Sequence, residues 1–192
     1  DIAFSLCVVV VGLAPIALLL LIIRLESPGS PIYRQERIGY RGQPLRIFKL
    51  RTMVADSDDV EKHLSPEQLA QWRSERKVED DPRVTRVGRF LRRTSLDELP
   101  QFLNVLAGSM SIVGPRPVVA DELPAYGTDV DAFLSMKPGI TGWWQVQARN
   151  DATYEDGSRQ QLELYYVRNA NLKLDVVVFL ETFKSIINKT GV

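Results

Sequence analysis

Two adjacent carboxylates, Asp97 and Glu98, stand between a run of arginines and a Gly114-Pro115-Arg116-Pro117 turn, all within Arg83 to Pro117. Arg83, Arg86, Arg89 and Arg93 recur at steps of three and four, which predicts a helix with those four on one face and Arg92 at its edge. Val84, Val87 and Leu91 form its apolar face. Acidic groups set directly beside positive charge are equipment for handling phosphates. A carboxylate near its ordinary pKa of about 3.9 is ionised at neutral pH. The single histidine, His63, lies among charges with no second ligand at metal spacing, and the chemistry does not call for it.

Two local readings of the acidic pair stand side by side. Ser95-x-x-Glu98 fits a capping box at a helix start, with Asp97 and Glu98 favoured there by the macrodipole. Pro100 favours a bend instead, because just past a first turn its ring and missing N–H disturb the helix. Asp129-Val130-Asp131 also matches the Asp-x-Asp with which metal-dependent glycosyltransferases hold a nucleotide sugar. Three residues are a weak signal, and a solvated helix start explains them as well.

The elements that must position these groups begin with Ile2 to Ile23, an uncharged apolar stretch. As a helix it reaches about 33 Å, enough for a bilayer core of about 30 Å. No basic region precedes it and no small-residue cleavage site follows Arg24, against a secretory signal. Pro15, near its middle, removes one helical hydrogen bond and bends the axis, which suits a segment that enters one leaflet and returns, though spanning helices carry prolines too. Ser27-Pro28-Gly29-Ser30-Pro31 stops the helix. Ile32 to Ile38 and Leu45 to Leu50 read as strands of a hairpin with the basic tip Gly39-Tyr40-Arg41-Gly42, either solvated or set on lipid phosphates.

Residues 54–82 read as a polar surface excursion, with a helix starting at Ser65-Pro66-Glu67. A short helix is expected over Phe102 to Met110, partial helix over Asp121 to Met136, a β-like run after Pro138-Gly139, and helices over Glu155 to Tyr166 and Leu172 to Ile187.

The 192 residues suit one domain with a real core. Lys+Arg and Asp+Glu both total 24, so the basic balance of a nucleic-acid binder is missing. The signs are segregated: Arg24 to Met53 carries seven basic and two acidic residues, Val54 to Pro82 nine acidic and four basic. The lone Cys7 can form no internal disulfide. Phosphate-loop, dinucleotide, zinc-helix and serine-elbow motifs are absent.

In order along the chain stand the Pro-bearing apolar segment, Ser27-Pro28-Gly29, Arg34-Gln35-Glu36-Arg37-Ile38-Gly39, Phe48-Lys49-Leu50-Arg51-Thr52-Met53, Thr94-Ser95-Leu96-Asp97-Glu98-Leu99-Pro100-Gln101, Gly114-Pro115-Arg116-Pro117, Lys137-Pro138-Gly139-Ile140-Thr141-Gly142 and Gln147-Ala148-Arg149-Asn150. Each is weak alone, but the ordered set resembles the bacterial sugar transferases known as monotopic phosphoglycosyl transferases, over nearly the whole chain. The resemblance implies a compact α-rich α+β domain anchored by a re-entrant helix (residues 1–26), with a small hairpin, amphipathic interfacial helices and a catalytic part over residues 27–192 at the cytoplasmic face of a bacterial membrane.

It further implies transfer of a sugar-1-phosphate from a UDP-sugar to a polyprenyl phosphate with release of UMP, an early membrane step of polysaccharide or glycoconjugate synthesis. By resemblance, Asp97 is the nucleophile that carries a covalent phosphosugar. Glu98, with Asp97 beside it, holds Mg²⁺, and Lys49, Arg51, Arg92, Arg116 and Arg149 bind phosphates. Membrane lipids are expected partners and a homo-oligomer is compatible. The chain departs from the family in having Ala14-Pro15 where Ser-Pro is usual at the membrane break, and Leu50 where Phe is common. The acidic excursion resembles larger members, which carry further membrane helices upstream. Two other readings remain: a metal-dependent glycosyltransferase using Asp129 and Asp131, and a non-catalytic membrane-docking module.

Overall fold

A computed structural model describes residues 1–75, 78, 80–148 and 156–187. It is α-rich with two small two-stranded sheets, the α+β class that the motifs imply. The apolar stretch forms α1 (Ile2–Glu26), which carries Pro15 inside one continuous helix. The hydrogen bond that Pro15 cannot donate is the one to the Val11 carbonyl. Ser27, extended, ends the helix, and its N–H returns to the Ile23 carbonyl. Among the described residues α1 is the one helix long and apolar enough to cross a membrane.

The two ends of α1 nevertheless pack on one body. At its start, Ser111 donates to the Asp1 carboxylate at 2.6 Å, and the Phe4 ring meets Phe102 and Phe179. At its end, Ile23 is buried with Leu50 and Leu91, and the Glu26 carboxylate accepts from the Val87 amide near the start of a later helix. Val10, Val11 and Leu13, between them, are exposed.

The hairpin is β1 (Ile32–Ile38) and β2 (Pro44–Leu50), antiparallel with Ile32 opposite Leu50 and Ile38 opposite Pro44. Its tip needs the left-handed region at Arg41 (φ 52°) and Gly42 (φ 74°). Leu45 and Ile47 point into the core and Leu50 into the cluster under α1, while Lys49 is half-buried. The excursion holds α2 (Val60–His63) and α3 (Pro66–Glu75), the latter opened by Ser65, whose hydroxyl accepts the Gln68 amide. It leaves and returns at adjacent points, where Met53 and Val84 pair and the Val54 amide donates to the Arg83 carbonyl.

Helix α4 runs from Arg86 to Thr94. Its N-cap is Thr85, whose hydroxyl accepts the Gly88 amide. This corrects the expected four-arginine face: Arg83 lies before the cap, buried in a two-pronged ion pair with Asp81 and bonded to the Ser57 carbonyl. Arg86, Arg89 and Arg93 are exposed on the helix.

After α4 come a 3-10 turn (Leu96–Glu98), α5 (Gln101–Leu106) and β3 (Ser111–Val113). A 3-10 stretch (Ala120–Asp129) leads to α6 (Val130–Phe133), β4 (Gly139–Thr141), α7 (Trp143–Ala148), α8 (Ser158–Asn169) and α9 (Leu172–Ile187). The run after Pro138-Gly139 is therefore strand only to Thr141; Trp143 to Val146, expected as β-like, is helical because Trp144 turns inward and is buried. Strand β3 pairs in parallel with β4 so closely that a Cβ on Gly139 would lie 2.2 Å from the Gly114 nitrogen. Asn104 of α5 stitches that helix to the hairpin: its side-chain carbonyl accepts the Phe48 amide at 3.1 Å and its amide donates to the Arg46 carbonyl at 2.8 Å.

Candidate active site

Ser95 closes α4 in the left-handed region (φ 55°) and its hydroxyl caps nothing, so the capping-box reading of Ser95-x-x-Glu98 fails and the bend reading holds. The reversal points Asp97 inward, where it is buried, and leaves Glu98 half-exposed beside it. Pro100 then sits ahead of α5, where its missing N–H costs nothing.

Two elements bring cations to this turn. Strand β2 delivers Lys49, whose Nζ stands 3.0 Å from Glu98 Oε1. Helix α4 delivers Arg92, whose Nε donates to Thr52 Oγ1 at 2.9 Å. Burial pulls the Arg92 guanidinium below its usual range, while Asp97 and Asp81 hold its charge in place. That placement depends on Gly88, where a Cβ would lie 2.0 Å from the Thr52 carbonyl oxygen; without one, α4 rests on the Thr52 backbone.

Burial first and then the neighbouring Glu98 charge push the Asp97 carboxyl up to about 6, against the pull of Lys49 and Arg92. The expectation of an ordinary carboxylate is thus revised: Asp97 remains ionised at neutral pH, with less margin. Asp81, by contrast, is pushed up by burial but held below the usual range overall by the hydrogen bonds from Arg83.

The other residues singled out from sequence divide. The Gly114-Pro115-Arg116-Pro117 turn is fixed at three backbone points: Gly114 N–H to the Thr141 carbonyl, Gly139 N–H to the Pro115 carbonyl, and Arg116 N–H to the Glu163 carboxylate at 3.1 and 3.3 Å. The Arg116 guanidinium lies over the Trp144 ring, 5.5 Å from its centre, and its Nε is buried without a hydrogen-bond partner. A donor so placed suits an incoming anion. Arg51 is spent otherwise: its guanidinium donates to the Ser27 and Pro28 carbonyls at 2.6 and 2.9 Å, tying the hairpin to the end of α1. Arg149 lies outside the described residues. Asp129 is engaged by Arg168 at 2.6 Å on the surface, and among the described residues no three His, Cys, Asp or Glu side chains cluster as a metal site.

A Mg²⁺ ion fits the acidic turn by its donor chemistry. Asp97 and Glu98 are consecutive carboxylates whose mutual repulsion contributes to the raised Asp97 pKa. Mg²⁺ is commonly held by one or two carboxylates completed by substrate phosphates and water. Thr52 beside Arg92, and Trp144 and Glu163 around Arg116, were not legible in these places. Thr52 could be read only as a member of its motif, and Glu163 only as one polar residue of a helix.

A family model described as bacterial sugar transferase matches residues 1–189. The chain is 42% identical over its whole length to an undecaprenyl-phosphate galactose phosphotransferase of Salmonella typhimurium, covering 40% of that protein. It is 42% identical to the exopolysaccharide production protein ExoY of Sinorhizobium fredii, with 94% of this chain and 81% of that protein aligned. A UDP-glucose:undecaprenyl-phosphate glucose-1-phosphate transferase of Escherichia coli is 40% identical over 89% of the chain and 36% of that protein. The chain thus spans about two fifths of the longer relatives and four fifths of the shorter one.

Proposed function

We propose that this chain, which belongs to the bacterial sugar transferase family, moves a sugar-1-phosphate from a UDP-sugar to a polyprenyl phosphate at the cytoplasmic face of a membrane and releases UMP. The observation that carries the reading is the Asp97–Glu98 turn, with the nucleophile candidate buried, ionised at neutral pH, and set between the charges of Lys49 and Arg92. Relatives named as undecaprenyl-phosphate sugar phosphotransferases support the acceptor class.

In the first half-reaction an Asp97 carboxylate oxygen attacks the phosphorus that bears the sugar. The bond from that phosphorus to the bridging oxygen breaks, and UMP leaves with the electron pair. The acyl phosphate so formed links Asp97 to the sugar phosphate. In the second, an oxygen of the polyprenyl phosphate attacks the same phosphorus, the acyl–oxygen link to phosphorus breaks, and Asp97 returns as carboxylate. No proton needs to move at the nucleophile in either half, consistent with a centre built without histidine.

Arg92 and Arg116 stabilise the charge that builds on the phosphoryl oxygens, and Lys49 contributes to the same field. Glu98, with Asp97 beside it, would hold Mg²⁺, which when bound supplies charge neutralisation to the diphosphate. Membrane association rests on α1 with its exposed apolar middle. Both ends packing on one body supports a helix that enters and leaves by the same face.

Intact-protein mass spectrometry after rapid quenching, with a UDP-sugar alone, tests the covalent step. Wild type is expected to gain one sugar phosphate and release one equivalent of UMP before any polyprenyl phosphate is added, and Asp97→Asn neither. Normal turnover with no adduct and no UMP burst counts against Asp97 as nucleophile. Release of UDP instead of UMP would favour an ordinary glycosyltransferase.

A further inference from the structure

We propose that Glu163 is a positioning residue for Arg116, holding the Gly114-Pro115-Arg116-Pro117 turn from behind so that the guanidinium is presented, uncommitted, to a substrate phosphate. This rests on the phosphotransfer reading above.

Pro115 and Pro117 have no N–H, so the Arg116 amide is the one backbone donor in that tripeptide. It points into the protein, where a bare N–H would be costly. Glu163 of α8, one of the most deeply buried side chains in the molecule at 1% exposure, meets it with both carboxylate oxygens, 3.3 and 3.1 Å away. Burying a carboxylate to bond one amide is expensive unless its charge is balanced. Burial pushes the Glu163 carboxyl up to about 7, and Arg116 and Arg159, which lie over the same Trp144 ring at 5.5 and 4.2 Å, offset part of that push. Glu122 acts in the opposite sense.

The choice of atom is what gives Glu163 a role beyond packing. A carboxylate bound to the guanidinium would neutralise Arg116 and occupy the fork that grips phosphate. Bound to the amide, it fixes where the side chain starts and leaves the fork available. Trp144 then limits where the fork can point, and Nε of Arg116 remains without a partner.

The test is a double-mutant cycle in the full-length enzyme, using a UDP-sugar that the wild type turns over with undecaprenyl phosphate. The variants are Glu163→Ala, Glu163→Gln, Arg116→Ala and the double Arg116→Ala/Glu163→Ala. Readouts are kcat/KM for the UDP-sugar, its affinity measured in an Asp97→Asn background, and the melting temperature. Misplacing a phosphate-binding group by about an ångström costs on the order of a hundredfold. Glu163→Ala is expected to lose roughly ten- to a hundredfold in kcat/KM, and in affinity in the same direction.

Glu163→Gln, which keeps a carbonyl oxygen for the amide, is expected to restore most of that loss. In the Arg116→Ala background Glu163→Ala is expected to add little. Multiplying losses in the double variant, or Gln no better than Ala, overturns the proposal. Should Glu163→Ala not fold, Glu163→Asp, one methylene short of the amide, takes its place in the cycle. Normal activity and affinity in Arg116→Ala overturn the proposal together with the assignment of Arg116. If Asp97→Asn still forms no adduct in that case, the covalent reading stands while this one falls.

Discussion

Lys49 Nζ lies 3.0 Å from Glu98 Oε1, joining strand β2 to the turn that carries Asp97. The pair does two things at once. It gives Glu98 a counter-charge, and it brings a positive charge near Asp97, whose carboxyl Lys49 pulls downward against burial and the Glu98 charge. Asp97 thereby stays mostly ionised at neutral pH although it is buried, as the proposed nucleophile must.

A pH dependence follows from that balance. Attack requires the carboxylate, and the Asp97 carboxyl is pushed up to about 6, so kcat/KM in the free enzyme is expected to fall as pH drops through about 6. Lys49→Met removes one of the influences that lower it, so the acid limb should move to higher pH, with activity at pH 7 lower by as much as about a hundredfold from loss of the phosphate contact proposed for Lys49. Added Mg²⁺ should move the wild-type limb the other way, because a nearby cation favours the carboxylate. Initial rates across pH 5 to about 8, at several Mg²⁺ concentrations, check both shifts; a limb unmoved by Lys49→Met would remove Asp97 as its source.

Glu98→Gln keeps shape and a hydrogen-bonding oxygen but drops the charge that attracts a hard cation. The Mg²⁺ concentration needed for half-maximal rate is expected to rise by about a hundredfold or more, with most activity lost. Glu98 also partners Lys49, and a variant with normal Mg²⁺ dependence would reduce it to that single part.

The hairpin, α3 with its Ser65 cap and α9 were legible because each carries its own local signal: alternation with turn residues, a polar cap before Pro66, a long apolar run. The Asp97–Glu98 turn was legible as a bend because Pro100 forbids the continuation that a capping box needs. What failed did so where long-range packing overrides local pattern. Arg83 fits the helical spacing of the other arginines, yet the Ser57 carbonyl, 26 residues back, and Asp81 beside it claim its guanidinium before the helix begins. The hydrogen bonds of Arg51 to the Ser27 and Pro28 carbonyls, 24 and 23 residues back, had no local signal either. The β3–β4 pair joins segments some 28 residues apart, Ser111 to Gly139, and no local pattern announces it. The Glu163 contact with Arg116 is 47 residues long in sequence and equally silent.

Helix α4 reaches the Thr52 backbone only because Gly88 has no side chain: an added Cβ would lie 2.0 Å from the Thr52 oxygen. Gly88→Ala must therefore lift the helix, which is expected to lower stability by about 1–3 kcal/mol and to move Arg92 out of reach of Thr52. Thr52→Val separates the two effects, since it keeps the shape and deletes only the 2.9 Å bond to Arg92. A hydrogen bond to a charged group is worth about 1.5–3 kcal/mol, so Thr52→Val should reduce turnover roughly ten- to a hundredfold with a smaller change in melting temperature than Gly88→Ala. Equal losses of stability with turnover intact in Thr52→Val would show that Thr52 serves the fold and not Arg92.

The course of α1 gives the last expectation. A helix of 25 residues extends about 37 Å if straight, long enough to cross a bilayer and put its two ends on opposite sides. Both of its ends nevertheless contact the rest of the described chain. Asp1 is bonded by Ser111, Phe4 packs on Phe102 and Phe179, and 22 residues after Phe4 the Glu26 carboxylate receives the Val87 amide, all within one body. The exposed apolar residues between them, Val10, Val11 and Leu13, are left for lipid. Pro15 lies just beyond that stretch and removes a hydrogen bond that would resist bending. Single cysteines at Ile2 and Leu25, both exposed, in a Cys7→Ser background avoid the contacts of Asp1 and Glu26. In sealed vesicles of one orientation, a membrane-impermeant thiol reagent should label both positions from the same side, the one that also exposes the hairpin tip at Arg41. Labelling of the two positions from opposite sides would make α1 a spanning helix, and its packing at both ends against one body would then have to open in the membrane.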